Sequence, residues 1–345
     1  MIFNMGIRTL LPGMAINGLK VDPLSEIRNS GIMTNGSVLW VKQVADADYT
    51  NFADQVGADV IRNTVQDAIT LTRNDRNDYV MVVPADANAV YGQGTALDIN
   101  KDRVHMVGVG YGEAKRSYSI TVRSNMGTTP DTELLHVSGD GVQIAGIRFL
   151  GTLGTNAGGT MSNGVARIAG HDFWAKSVVF EDSTDIWGTP PVVRGMGTAA
   201  HDARFDSCFF TISGTGNVES AGNSALVIGG DGNKRWEFND SVFTLPAGSV
   251  TETFFSPGTG AKERTTFNRS HFGNVNGTAF VITSAIRGSV TANNPVLLNY
   301  STGLAITAMG TDPNVFTVPN ESGTAGAGLH NPYIYRVGSA AGPAA

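Results

Sequence analysis

The chain has one cysteine in 345 residues, Cys208. No internal disulfide can form, so the fold has to stand on packing, and the simplest role for Cys208 is that of a small buried apolar residue. Charge is sparse too: 16% of residues are charged, Lys and Arg are scattered, and the net charge is −6. That balance supplies no counterion-release term for binding phosphates, and no nucleic-acid partner is expected. Nothing approaches the ~18 uninterrupted apolar residues of a membrane span, so no membrane partner is expected either. The first twenty residues lack a basic start before an apolar core, and Pro12, Gly13, Asn17 and Gly18 break up their apolar positions. The expectation is a protein without a signal peptide, made in a cytoplasm.

The composition instead offers 43 glycines and 41% apolar residues, with Thr, Ser and Asn filling the gaps between short apolar segments. That is how many short strands joined by turns read. Between residues 142 and 272 the segments repeat. Five of them end in Phe149, Phe180, Phe210, Phe243 and Phe272, at spacings of 31, 30, 33 and 29 residues. Three are near copies: Phe205-Asp-Ser-Cys-Phe-Phe210, Phe238-Asn-Asp-Ser-Val-Phe243 and Phe267-Asn-Arg-Ser-His-Phe272.

Side-chain parity within this unit predicts a corner. Residues two apart on a strand share a face, so the final Phe and the preceding Cys208, Ser241 or Ser270 can both point inward. The leading Phe lies five positions back, an odd step, and is buried as well only if two short strands meet at a tight bend. Asp206, Asn239 and Asn268 occupy one slot at that bend. Asn and Asp tolerate the left-handed backbone that a sharp bend needs, and stacked on one another they would form a hydrogen-bonded ladder. A further apolar run falls in each coil, at Val165 to Ile168, Val192-Val193, Ala225 to Ile228, Phe254-Phe255 and Phe280 to Ile282. About three strands in ~30 residues make an all-β solenoid, a right-handed parallel β-helix. A propeller needs longer antiparallel blades.

A solenoid's open end needs a cap. Val65, Ala68, Ile69 and Thr72 follow helical spacing within residues 63–72, and Asn63 with Gln66 has the form of a capping box. A strand follows at Tyr79 to Val83. With Thr64 to Ile69 as a Thr-Val-Gln-x-Ala-Ile helix, Val80 to Pro84 as a Val-rich strand ending in Pro, and Val107 to Gly110 as Val-Gly-x-Gly, the chain resembles the pectate-lyase-like β-helix superfamily over roughly residues 60–300. The resemblance implies the fold. It implies no one activity, since the superfamily includes lyases, hydrolases, phage tailspikes and noncatalytic virion proteins. The expected organisation is an N-terminal arm (1–36), a cap region with a strand and the capping helix (37–76), the β-helix (77–318) and a C-terminal arm (319–345). The arms cannot bury enough surface alone, so neighbouring subunits are expected to order them, and Asn331 to Arg336 to add a strand to a neighbour's edge.

Enzymes on this fold use outward carboxylates with Arg or His. The candidates are Glu181, Asp182 and Asp185, and then His201, Asp202, Arg204 and Asp206. Two such acids would suit glycoside hydrolysis at the right separation. The competing reading makes them solvated turn residues and a bend ladder, and it is preferred because polygalacturonase-like Asn-Thr-Asp, Asp-Asp and Arg-Ile-Lys signatures are missing, as is a lyase-like calcium cluster. No turnover is expected to depend on Asp182, Asp202 or Asp206. Gly108, Gly110 and Gly112 mimic a dinucleotide loop, but no amphipathic helix follows, and a coil-ending turn is the better reading. His105, His136 and His271 have outward parity, and His171, His201 and His330 lack metal-ligand spacing. Trp40, Trp174, Trp187 and Trp236 would suit sugar stacking, but they are far apart, and core or interface packing suits most of them.

No catalytic residue, metal or cofactor is assigned. The expected function is that of a noncatalytic bacteriophage virion protein, not an enzyme: a capsid decoration or cement protein. It would be homotrimeric, as similar viral β-helices commonly are, and partnered with the major capsid protein or other virion subunits. The alternative is a tailspike or tail-fibre type of protein that binds or cleaves host surface glycans.

Overall fold

The computed structural model describes residues 36–85, 91–93, 95–109, 120–124, 133–151, 165–182, 193–195, 201–212, 224–230, 235–245, 251–257, 265–274, 281–282, 290–293 and 296–299, together with short strands at 15–16, 19–20, 308–309, 315–320 and 331–336. In several of these strands the backbone alone is described. The chain winds as a parallel β-helix, with each coil contributing one strand to each of three sheets. The first sheet has eight strands from Leu97–Ile99 to Ala308–Met309, and the third has eight from Tyr91–Gln93 to Val296–Asn299. The second has ten, because Val38–Val41, Ile61–Arg62 and Tyr79–Val82 precede His105–Gly108. The coil-to-coil ladders are parallel. The apolar runs foreseen between the Phe units are the strands of the first sheet, such as Ala166–Ile168 and Val193–Gly195.

Parity places the phenylalanines as expected. Phe205, Phe238 and Phe267 lie in register on the second sheet and stack at centroid distances of 4.8 and 4.9 Å. Phe149, Phe180, Phe210 and Phe243 form a second column on the third sheet, at 5.8, 5.4 and 4.8 Å. The two columns meet edge to face, for example Phe210 on Phe238 at 5.7 Å, which is the arrangement ring quadrupoles favour.

The corner between these sheets is where predicted, but its left-handed residue is one position later. Asp206, Asn239 and Asn268 end their strands in extended backbone, and the positive φ falls on Ser207, Asp240 and Arg269. This turns each corner N–H across to the next coil: Ser207 N donates to Asn239 O at 2.8 Å and Asp240 N to Asn268 O at 2.9 Å. The ladder itself is present, with Asn239 Nδ2 donating to Asp206 Oδ1 and Asn268 Nδ2 to Asn239 Oδ1, both at 2.8 Å. Cys208, Ser241 and Ser270 follow, all buried and inward. Gly108 lies within a strand, where an added Cβ would strike the carbonyl of Gly146 in the next coil; Gly110 and Gly112 lie outside the described residues.

Among the described residues, two α-helices serve the N-terminal end: α1 (Tyr49–Val56) and α2 (Val65–Leu71). Helix α2 closes the core with Val65, Ala68 and Ile69, but its cap differs from the expected Asn63–Gln66 box. Thr64 is the N-cap and accepts from Asp67 N at 3.1 Å, Asn63 instead accepts from Val44 N, and Gln66 accepts from Asp98 N. Helix α1, not foreseen, packs Phe52 on Trp40 and covers the outward face of the second sheet around Tyr79, Met81, Val107 and Val109. Nearby, Lys42 is buried between Asp46 at 3.0 Å and Asp48 at 2.6 Å. Burial alone would lower its ammonium, but the hydrogen bonds to Asp48 and Asp46 outweigh it and hold the pKa above its ordinary value.

At the other end, Asn331–Arg336 is a strand, as expected. It pairs antiparallel with Val315–Asn320 of its own chain, because a local hairpin partner closes at lower entropic cost. Most of the expected arm 1–36, and the rest of 319–345, lie outside the described residues. No helix among the described residues is long and apolar enough to cross a membrane.

Candidate functional site

Strand alternation decides which side chains reach the surface of each sheet. On the second sheet, Ala175, Phe205 and Phe238 point inward, leaving Trp174 and Lys176, Arg204 and Asp206, and Glu237 and Asn239 on the outer face. Asp206, the central candidate acid, is heavily engaged. Arg204 Nε donates to both its oxygens at 2.9 Å, Trp174 Nε1 donates to Oδ2 at 2.7 Å, and Asn239 donates to Oδ1. The hydrogen bond to Asp206 raises the Arg204 pKa further above its ordinary value.

The other predicted acids are held in the same way. Arg148 donates to Glu181 Oε2 through Nε at 2.9 Å and Nη2 at 2.7 Å. Arg235 grips Asp202 with two bonds of 2.7 Å, and these push the Asp202 carboxyl below its usual range. Both Asp202 and Arg235 have left-handed backbone at the corner before the second sheet, as Asp240 and Arg269 have at the corner after it, where they form the same forked pair. Asp182 ends its strand, with only its backbone described, and Asp185 lies outside the described residues. Among the described side chains, Glu181, Asp202 and Asp206 are thus not gathered into one site but spread over separate ties to neighbouring coils. The His171 and His201 rings do stack, at 4.9 Å.

One cluster escaped sequence reasoning. The middle residues of three first-sheet strands, Asp98, His136 and Arg167, are in register on its outer face. The buried Glu133 reaches them from just ahead of the strand. His136 Nδ1 lies 3.3 Å from Asp98 Oδ1 and 3.8 Å from Glu133 Oε1, and Arg167 Nη1 lies 3.7 Å from the same Glu133 oxygen. An imidazole whose Nδ1 faces carboxylates presents Nε2 for proton exchange, and an adjacent guanidinium suits an anionic group or a sugar hydroxyl. Among the described residues no three His, Cys, Asp or Glu side chains converge as metal ligands. The signal for this cluster was the alternation Leu-Asp-Ile, Leu-His-Val, Ala-Arg-Ile, one charged residue between two apolar ones in successive coils.

Of the tryptophans, Trp236 is in the core and Trp40 lies under α1, whereas Trp174 is half-buried on the outer face; Trp187 lies outside the described residues. Expected outward, His105 does take the outer face of the second sheet, yet it is buried against Tyr79 at the capped end.

No family model matches the chain, and no curated protein is similar to it. Among solved structures, the fold is similar to that of the pectin methylesterase from Aspergillus niger in deglycosylated form, with TM-score 0.44 and 13% identity over 85% of this chain and 94% of that one. A penultimately deglycosylated form of the same enzyme is similar at TM-score 0.42 and 11% identity, with the same coverage. The chain's own sheet topology is that of a parallel β-helix. The expectation that it is not an enzyme is corrected here: both solved structures to which the fold is similar are of an enzyme, so the exclusion of catalysis is withdrawn. At such low identity the likeness extends to the fold alone and assigns no activity.

Proposed function

We propose that the chain is a structural subunit of a bacteriophage particle, of the capsid decoration or cement type, associating as a homotrimer and gripping shell subunits with its terminal segments. The observation that carries this reading is the outer face of the third sheet. There the half-buried Phe209 and Val242 line up in register, next to Val179, which the chain itself already buries, with Leu150 nearby. An apolar column on an outward sheet face gains by being covered, at about 25 cal/mol per Å² of apolar surface removed from water, and cyclic association of copies covers it. Arginine–carboxylate forks from coil to coil support a stiff scaffold. Imaging purified particles with a labelled chain tests the reading. Occupancy on the shell supports decoration, and absence from the particle overturns it.

A second reading, a tailspike type of protein that binds or cleaves host surface glycans, is favoured by the cluster of Asp98, Glu133, His136 and Arg167. Occupancy at the tail tip would support it, as would release of oligosaccharides from host envelope glycans that is lost on Glu133→Gln.

A further inference from the structure

We propose that the outer face of the second sheet around Trp174 is a binding site for a neutral pyranose of a glycan chain. The inference rests on the glycan reading and gives it a location away from the His136 cluster.

Trp174 is outward and half-buried in the strand Trp174–Lys176, with Ala175 inward. Its one polar atom, Nε1, is spent on Asp206 Oδ2 at 2.7 Å. The surface the indole still shows is therefore hydrocarbon. Asp206 is itself fixed by Arg204 and by Asn239, which is tied in turn to Asn268, so the ring is held in place before any ligand arrives. A platform already immobilised loses little freedom on binding.

What flanks the ring sets the chemistry. The parallel register puts Gln143 one coil before Trp174 and Arg204 one coil after it, each roughly 4.8 Å away along the sheet, with Glu237 beyond Arg204. Amide, guanidinium and carboxylate thus border one flat apolar ring. A pyranose has the complementary surface: a face of C–H groups that stacks on an aromatic ring, and a rim of hydroxyls that both donate and accept. Because Arg204 is already neutralised by Asp206, the site has no reason to select a charged sugar.

The test is titration of the full chain with maltohexaose, cellohexaose and mannohexaose, followed by calorimetry and by tryptophan emission. At least one is expected to bind with a dissociation constant on the order of 1 mM and to change the emission. Trp174→Ala should weaken that binding about tenfold while leaving the circular dichroism unchanged, since Asp206 keeps Arg204 and Asn239. Should that variant unfold, Gln143→Ala, which removes a flanking amide and leaves the Asp206 ties intact, is expected to weaken binding a few-fold. Binding by the wild type that neither substitution alters overturns this site and leaves the glycan reading standing. A wild type that binds none of the three overturns the glycan reading, and this site with it.

Discussion

His105 is buried on the capped end of the second sheet, with its ring 4.9 Å from that of Tyr79 and its Nε2 3.1 Å from Asn77 Oδ1. Burial, outweighing the nearby Asp78 carboxylate, pushes its pKa from 6.5 down to about 4. The unfolded chain therefore binds the proton at a higher pH than the folded one. Stability from the neutral imidazole is complete above pH ~6.5, falls as the pH drops towards ~4, and changes no further below that. A gap of about 2.5 units corresponds to about 3 kcal/mol. Urea unfolding at pH 7, 5.5 and 4.5 should show this loss in the wild type and a shallower pH dependence in His105→Phe. Equal slopes in the two proteins would mean that His105 is not the group responsible. Cys208 belongs to the same scale: burial pushes its thiol up to about 12, as suits an inert core residue.

At the scale of elements, the coil corner decides stability. Phe238 stacks on Phe205 and Phe267, meets Phe210 and Phe243 edge on and lies beside Trp236, so truncating it opens a cavity lined by five rigid rings. Phe238→Ala should lower the unfolding free energy by roughly 3–5 kcal/mol, read from the denaturant midpoint, and an unchanged midpoint would refute the stacked arrangement. The corner also shows what could be read in advance. The odd five-residue step between Phe238 and Phe243 demanded a bend, and the repeated Asp206, Asn239 and Asn268 slot announced a ladder. The position of the left-handed residue could not be read, because Ser207, Asp240 and Arg269 share no residue type; hydrogen bonding to the next coil selects their backbone. Helix α1 was legible but overlooked: Tyr49, Phe52, Ala53 and Val56 repeat at i, i+3, i+4 and i+7 and form the face packed on the second sheet, in a run of only eight residues. The His136 cluster was hidden for another reason: its members are 35, 3 and 31 residues apart in order along the chain, and the coil register alone brings them together.

On the scale of the whole molecule, a solenoid stacks each coil mainly on its neighbours, so its lateral faces are free to take on other work without disturbing the core. The core is continuous from Leu39 beneath α2 to Phe267, and the inward phenylalanines of the third sheet belong to it whatever covers the outside. On the outward side of that sheet Val179 is already buried by the chain itself, whereas Phe209 and Val242 are half-buried, and it is their apolar character that calls for a separate cause. Three copies meeting around an axis parallel to the solenoid would bury the same column from each chain, with Thr211 and Thr244, already joined at 2.7 Å, at its edge. Placing a carboxylate there should break the assembly and spare the fold, because an unpaired charge is costly only where water is excluded. Light scattering should give three times the chain mass for the wild type and the single-chain mass for Phe209→Glu, with circular dichroism and denaturant midpoint of the dissociated variant still those of a folded solenoid. A wild type that runs as a single chain, or a Phe209→Glu protein that stays trimeric, would remove the third sheet as the association face and leave the terminal segments to account for any assembly.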